Sequence, residues 1–463
     1  MAMIKVMKFG GGCLRDGRTF SQVCAVIGRQ TRIAVVVSAL SGVTEQLLAA
    51  IEQAKRHERS IPGILAALSA THCAIIDELC PPGREKRRLQ NAIAYRLAQV
   101  QRLLIGIACH GDLTPAVRAR LLSYGERLAA QLLAGILNCR GVPAQAWDAE
   151  RAGVCTDDNF ENASIDRERT RKVLDARIGI LLRSGVIPVI AGFFGRGRGG
   201  AVTLLGRNGS DYSAAAIAYA LKAKRLEIWK DVDGFMSADP AQIVTARRLA
   251  RISFAEAAEL SYFGARILHP RTVEPLAGTK IRVFVRNLMR PESPGSEIVA
   301  GSSGREEAVA SIAASKHLAN IRIHGAGVGC KPGLLSSISS LLGAENINIH
   351  SVLTSQTCIN LLLDPADGRR SLQRIKAMAN GVVKRIDLEE HIALIGVVGD
   401  RIMEKEGVYA RIFTAVARQK INVEMAAAGA SAVACYFIVK RPDLERAVRA
   451  VHDEFFPPTP GNV

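Results

Sequence analysis

The stretch "IKVMKFGGG", Ile4 to Gly12, decides how the chain is read. Ile4, Val6 and Lys8 fall on one side of a strand, and that strand runs straight into three glycines. In open parallel sheets ligands sit beyond the carboxyl ends of the strands, where glycines let backbone N–H groups approach phosphate oxygens. A lysine ending the buried face of such a strand either meets an anion there or snorkels to solvent beside a tight turn. The segment alone leaves both readings open.

Outward from this strand, "IAVVVSA", "VIPVIAGFF" and "RLEIWKD" repeat the short, branched apolar pattern, with helical patterns between them. The alternation predicts an α/β chain with a mainly parallel open sheet between helices. Pro, Gly and Ser cluster between Arg286 and Glu307 and mark a boundary, so residues 1–298 form the predicted first domain. Beyond it the chain repeats itself once. "GLLSSISSLLGAENINIHSV" and "GVYARIFTAVARQKINVEMA" align Gly333 with Gly407, Ile338 with Ile412, and the pair Ile347 and Asn348 with Ile421 and Asn422. Each copy is flanked by strand-like runs in a βαββ order, predicting two ferredoxin-like modules, 308–388 and 389–463, in tandem or interleaved. "GAGVG", Gly325 to Gly329, lacks the dinucleotide-binding spacing and reads as a strand-to-helix loop.

The 463 residues suit about two to four domains, and 48% hydrophobic with 22% charged residues excludes disorder as the main state. No apolar run reads as long enough to span a bilayer and no signal peptide opens the chain, so the expectation is cytoplasmic and away from membranes. Ten scattered cysteines contain no CxxC pair, and no metal site is predicted from side chains. The net charge of +18 lacks the interleaved aromatics of a nucleic-acid reader, and no nucleic acid is expected.

In "LGRNGSDYSAAAIAYALKA", Leu205 to Ala223, Ser210 or Asp211 is expected to cap a helix whose Ala214, Ile217, Ala218 and Leu221 share a face. Arg207 beside that positive helix end suits a carboxylate or a phosphate. In "RLLSYGERLAAQLL" a carboxylate, Glu126, sits on a stripe with Leu122, Ala129 and Leu133, and needs either a structural cation or a ligand ammonium group. Ser38 at a strand end and Thr44 near a helix start are caps or ligand contacts. Asp231 and Asp233 close the strand of "RLEIWKDVDG", where carboxylates orient magnesium, a lysine or a nucleotide, or simply make a turn.

Together "KFGG", "GER", "LGRNGSDYSAA", "DVDG", "ADP" and "ELSYFGARILHPRT", followed by two ACT-like repeats, resemble aspartate kinase of the amino acid kinase family over nearly the whole chain. The resemblance implies an eight-stranded, mainly parallel sheet and transfer of the ATP γ-phosphoryl group to the side-chain carboxylate of L-aspartate with Mg²⁺. It further implies ACT domains that bind an amino-acid effector such as lysine or threonine, and a homodimer. Carried over by position, Arg207 grips the aspartate α-carboxylate, Glu126 and Asp211 face its ammonium group, and Thr44 and Ser210 lie close by. Lys8, Gly10 and Gly11 cradle the transferring phosphate, with Ser38, Lys230, Asp231, Met236 and Arg266 on the nucleotide side. Lys8, Asp211 and Arg266 are the implied catalytic groups.

The nucleotide side departs from the family pattern. Gly12 and Cys13 stand where Thr-Ser is usual, Lys230 where Thr is, Met236 where Tyr is, Ala241 where Arg commonly follows "DP", and Arg266 where Lys closes "FGAK". An intact acceptor side beside an altered nucleotide side leaves three readings: an active aspartate kinase, a catalytically weak amino-acid sensor on the same scaffold, or another carboxylate or carbamate kinase.

Overall fold

The branched apolar runs become strands, and the stretches between them helices, in a computed structural model that describes residues 3–265, 267–268, 270–378 and 381–457. Two compact units result. The first comprises Met1–Phe235, Arg248–Phe254 and Ile267–Ser303; the second comprises Met236–Arg247, Ala255–Arg266 and Gly304–Val463.

The first unit holds β1 (Lys5–Phe9), β2 (Ile33–Val37), β3 (Ala144–Trp147), β4 (Ile187–Ala191), the hairpin β5 (Phe194–Arg196) and β6 (Val202–Leu204), β7 (Arg225–Lys230), β8 (Arg251–Ser253), β9 (Arg282–Asn287) and β10 (Ser296–Val299). Eight of these make one sheet ordered β3-β4-β2-β1-β7-β9-β10-β8. Every neighbouring pair is parallel except β9 with β10, which matches the mainly parallel sheet expected. β2 is buried along its whole length, as a central strand covered on both faces must be.

Its helices are α1 (Gly17–Gly28), α2 (Val43–Arg56), α3 (Ile61–Leu79), α4 (Arg84–His110), α5 (Pro115–Leu122), α6 (Tyr124–Cys139), α7 (Ala149–Ala152), α8 (Arg167–Arg183), α9 (Gly209–Ala220), α10 (Phe254–Tyr262), which ends in the second unit, and α11 (Pro270–Val273). α6 lies along β2, β3 and β4, while α9 lies along β1, β2 and β7. Three sequence expectations change here. The stretch Glu58–Leu79, with an 18-residue window of mean hydropathy 1.4, is long and apolar enough to cross a membrane by length and composition, contrary to the reading that no run qualifies. It holds α3, whose Leu68, His72, Ile75 and Ile76 are buried where it packs beside α1, α2, α4 and α6. The "RLLSYGERLAAQLL" stripe is not one helix but two, broken at Ser123 between α5 and α6. α9 is buried nearly all round rather than on one face, which explains its run of small residues: alanine is what fits between a sheet and flanking helices.

The second unit carries β11 (Ser311–Ser315), β12 (Ala319–His324), α12 (Leu334–Ala344), β13 (Ile349–Thr354), β14 (Cys358–Leu363), α13 (Pro365–Met378), β15 (Arg385–Glu389), β16 (Ile392–Val398), α14 (Val408–Arg418), β17 (Met425–Ala427), β18 (Ala434–Lys440) and α15 (Leu444–Phe455). The internal repeat is realised locally: Gly333 and Gly407 occupy the same left-handed N-cap, at φ 82° and 74°, before α12 and α14. Its two four-stranded sheets run β13-β14-β12-β15 and β11-β16-β18-β17. β11 therefore pairs with β16, so the β12–β15 module is inserted between two strands of its sibling's sheet. The segment 236–247 joins this unit's core, with Ala238 and Ile243 packed in one cluster with Ile395, Val397 and Val451.

Candidate active site

Parallel pairing brings the carboxyl ends of β1, β2, β4 and β7 to one edge of the sheet, and short hydrogen bonds pin the loops that leave them. Gly10 N–H donates to the Trp229 carbonyl at 3.2 Å, Ser38 N–H to Phe9 at 3.1 Å, and Gly192 N–H to Val37 at 2.9 Å. The glycines are there because neighbours are close. A Cβ on Gly11 would lie 3.3 Å from the Ala39 carbonyl, and one on Gly192 would lie 2.9 Å from Cβ of Ser210. Gly12 faces the Asp231 side chain, whose Oδ2 would stand 2.8 Å from such a Cβ.

Lys8, at the end of the β1 face, is 4% exposed and meets an anion rather than solvent. Its Nζ lies 2.5 Å from Oδ1 of Asp211, in the first turn of α9, and Lys230 Nζ lies 3.3 Å from Oδ2 of the same carboxylate. Burial pulls the Lys8 ammonium below its ordinary range against the opposing pull of Asp211, and Lys230 adds to the decrease. Burial by itself would raise the Asp211 carboxyl, yet Lys230 and Lys8 together hold it below the usual carboxylate range. The thiol of Cys13 is pushed up to about 12, chiefly by burial, and stays protonated.

Glu126 opens α6 and is buried with one oxygen, Oε2, that has no hydrogen-bond partner. Burial pushes its carboxyl up to about 8, against the lowering effects of the Ala39 backbone and Lys8. No structural cation is ion-paired with it among the described residues. Gly125 lets this turn approach β2's loop: a Cβ there would sit 2.8 Å from Cβ of Ala39 and 3.8 Å from Oγ1 of Thr44. The next residue, Arg127, braces the helix start. Its guanidinium pairs with Asp148 at 2.7 Å and Glu150 at 2.8 Å and lies over the Phe194 ring at 4.5 Å. This brace was not predicted; a second buried charge directly after Glu126 is the signal that sequence reasoning passed over.

The other expected residues divide. Ser210 is buried beside Gly192, while Arg207 is exposed on the turn before α9, one helical turn from Asp211. The cap of α9 is Asn208 in the left-handed region at φ 55°, with no side-chain bond; Ser210 and Asp211 lie inside the first turn, so neither caps the helix as expected. Asp211 is instead held by the two lysines. Asp231 is exposed, and Asp233 is occupied by Asn287 at 2.7 Å and Arg290 at 2.8 Å, which makes it structural. Met236 belongs to the second unit, and Arg266 lies outside the described residues.

The amino acid kinase family matches residues 3–287, and an ACT domain matches residues 395–455. Aspartokinase 2, chloroplastic, of Arabidopsis thaliana is 31% identical over 98% of this chain and 85% of its own length. Lysine-sensitive aspartokinase 3 of Escherichia coli is 30% identical over 98% of this chain and 100% of its own. Two crystal structures of E. coli aspartokinase III cover 98% of this chain and 100% of theirs: with aspartate and ADP (R-state), TM-score 0.82 at 29% identity, and with lysine and aspartate (T-state), TM-score 0.84 at 28% identity. A buried lysine–aspartate pair behind a glycine loop and an unpaired carboxylate facing the same sheet edge thus stand in a chain matched end to end, and the chain belongs to the amino acid kinase family, within it to the aspartokinases with C-terminal ACT domains.

Proposed function

We propose that this aspartokinase passes the γ-phosphoryl group of ATP to the side-chain carboxylate of L-aspartate at the sheet edge of the first unit, giving 4-phospho-L-aspartate. The single observation carrying this reading is the Lys8–Asp211 ion pair behind the glycine loop. The bond that forms joins a carboxylate oxygen to the γ-phosphorus; the bond that breaks joins it to the β,γ-bridging oxygen. An ionised carboxylate is already a nucleophile at neutral pH, so positioning and positive charge, rather than a strong base, are what the chain must supply. Lys8 and the loop at Gly10 and Gly11 face the transferring group, with Ser38 beside them. Arg207 reaches the acceptor's α-carboxylate, and Glu126 and Asp211 accept from its ammonium group, with Thr44 and Ser210 lining that end.

Among the described residues no three His, Cys, Asp or Glu side chains converge into a metal site. Mg²⁺ is usually held by one or two carboxylates together with substrate phosphates, and the exposed Asp231 at the mouth of the glycine loop fits that demand. When bound with the nucleotide, the ion neutralises charge on the phosphate oxygens.

The ACT modules bind an amino-acid effector such as lysine or threonine, and the loop Gly325–Gly333 with the hairpin Ser351–Asn360 is the region we assign to it. Gly325 N–H donates to the Thr357 carbonyl at 3.0 Å, which brings the two stretches together. The E. coli neighbour was solved in complex with lysine and aspartate, which supports an amino acid as the effector. A cytoplasmic homodimer serving amino-acid biosynthesis completes the reading, and light scattering tests its oligomeric part. The decisive assay combines ATP, Mg²⁺ and L-aspartate and traps the acyl phosphate as its hydroxamate, alongside a panel of other carboxylate acceptors. Arg207→Ala is expected to raise the KM for aspartate at least tenfold. Absence of product with aspartate, or a better acceptor lacking an α-amino group, overturns the reading.

A further inference from the structure

Asp211 is bound by more cation than one carboxylate neutralises. Lys8 holds one oxygen and Lys230 the other, with side-chain exposures of 5% and 15%, so two ammonium groups share one carboxylate in a largely buried place. Among the described residues neither lysine has a second carboxylate within ion-pair distance, although the Lys8 charge is felt at Glu126. Buried charge of one sign is stable only where an opposite charge arrives to meet it. Lys230 ends β7 and is the register partner of Asn287 on β9, so its backbone is fixed and only its side chain can change partner.

Beyond Ser38, the same corner is short of neutral donors. Gly12 offers no side chain, and the Asp231 carboxylate occupies the space where one would begin. Cys13 is buried with a thiol that is a weak donor. One glycine loop, one lysine and the single hydroxyl of Ser38 make a sparse cradle for a triphosphate, whose transfer depends on charge stabilisation.

We propose that Lys230 is a second phosphate-binding cation, resting on Asp211 in the free enzyme and turning to the nucleotide phosphates when the ammonium group of aspartate takes its place on that carboxylate. This deepens the aspartate kinase reading and rests on it. The exchange conserves charge at Asp211: one ammonium leaves as another arrives. It makes the two substrates help each other, because aspartate frees the cation that the nucleotide needs, and by reciprocity the nucleotide draws away the competitor for aspartate's site.

The test is calorimetric titration of the full chain with Mg²⁺ and β,γ-imido-ATP, which cannot transfer its phosphoryl group, without and with saturating L-aspartate. Aspartate is expected to tighten nucleotide binding by about fivefold or more, the lower range of measured couplings. Lys230→Thr is expected to weaken nucleotide binding about tenfold and abolish the enhancement, raising the KM for ATP more than it lowers kcat. Lys230→Arg, which keeps the charge, restores part of both. Circular dichroism establishes that each variant is folded. Wild-type affinity and enhancement in Lys230→Thr overturn the proposal, as does a wild-type enzyme in which aspartate leaves nucleotide affinity unchanged. If the titration behaves as expected while the hydroxamate assay shows no aspartyl phosphate, the exchange stands and the assigned reaction falls.

Discussion

Lys8 and Asp211, on the first strand and the ninth helix, approach to 2.5 Å in a place where both are almost fully buried. The pair ties the end of β1, with its glycine loop, to the first turn of α9, so a change in either end is felt at the other. Lys8→Ala is expected to lower kcat by on the order of 10² or more while Lys230 keeps Asp211 paired and the fold intact. Hydroxamate formation and a thermal melt measured on the same preparation separate the two effects.

If Glu126 accepts from the acceptor's ammonium group as proposed, a pH dependence of aspartate binding is expected. With its carboxyl pushed up to about 8 in the free enzyme, it is protonated at neutral pH, and pairing with an ammonium group requires that proton to leave. Aspartate affinity is therefore expected to rise with pH up to about 8 and level off above it. For stability the sign is opposite: a carboxyl raised on folding favours the folded state fully below its unfolded value, and that contribution is lost as pH rises through 8. Glu126→Gln removes both slopes, read by isothermal titration and by melts between pH 5 and 9.

Gly12→Ala places a Cβ where the Asp231 carboxylate now sits. Because Asp231 is exposed and its end can swing away, the melting temperature should barely change. The displaced carboxylate should instead raise the KM for Mg-ATP several-fold, with the KM for aspartate constant.

Within the second unit His452 Nε2 lies 3.0 Å from Ser237 Oγ, both fully buried. Burial lowers the imidazole's pKa despite the opposing Asp453. A depressed histidine contributes stability above its unfolded pKa near 6.5 that is lost as pH falls through the folded value, so acid should loosen this unit. His452→Ala is expected to cost about 1–3 kcal/mol by leaving the Ser237 hydroxyl short of a partner, and to flatten the acid limb in denaturant unfolding.

A chain ending at Gly301 should lose more than effector response. It strips Ala238 and Ile243 of the cluster formed with Ile395, Val397 and Val451. Such a truncation is expected to bind an apolar dye and to lose kinase activity, whereas substitutions near Gly329 or Ser355 should spare turnover.

Much of this was legible in the sequence because it is local. β1, β2, β4 and β7 follow from branched apolar runs, and the twin helices α12 and α14 follow from a repeated Gly and apolar stripe. The ordered motifs named both Lys8 and Asp211 as site residues but gave them separate partners, so their ion pair was not foreseen. What stayed hidden is non-local or depends on backbone sign. Nothing in "NGSD" announces that Asn208 takes the left-handed cap and frees Asp211 for two lysines. A segment such as 236–247 looks like a loop of its own neighbourhood, and only tertiary packing shows which core it joins.

β11 ends at Ser315 and its neighbour in the sheet, β16, starts at Ile392. On the ribosome, β11 must remain without that neighbour until everything from Lys316 to His391 has been translated, by which time the intervening module has its complete set of strands. The guest can close before its host, whose helix α15 emerges only after every strand of both sheets. Slow translation through the guest would lengthen the time an apolar strand edge waits uncovered, and a chaperone would find its clearest target there.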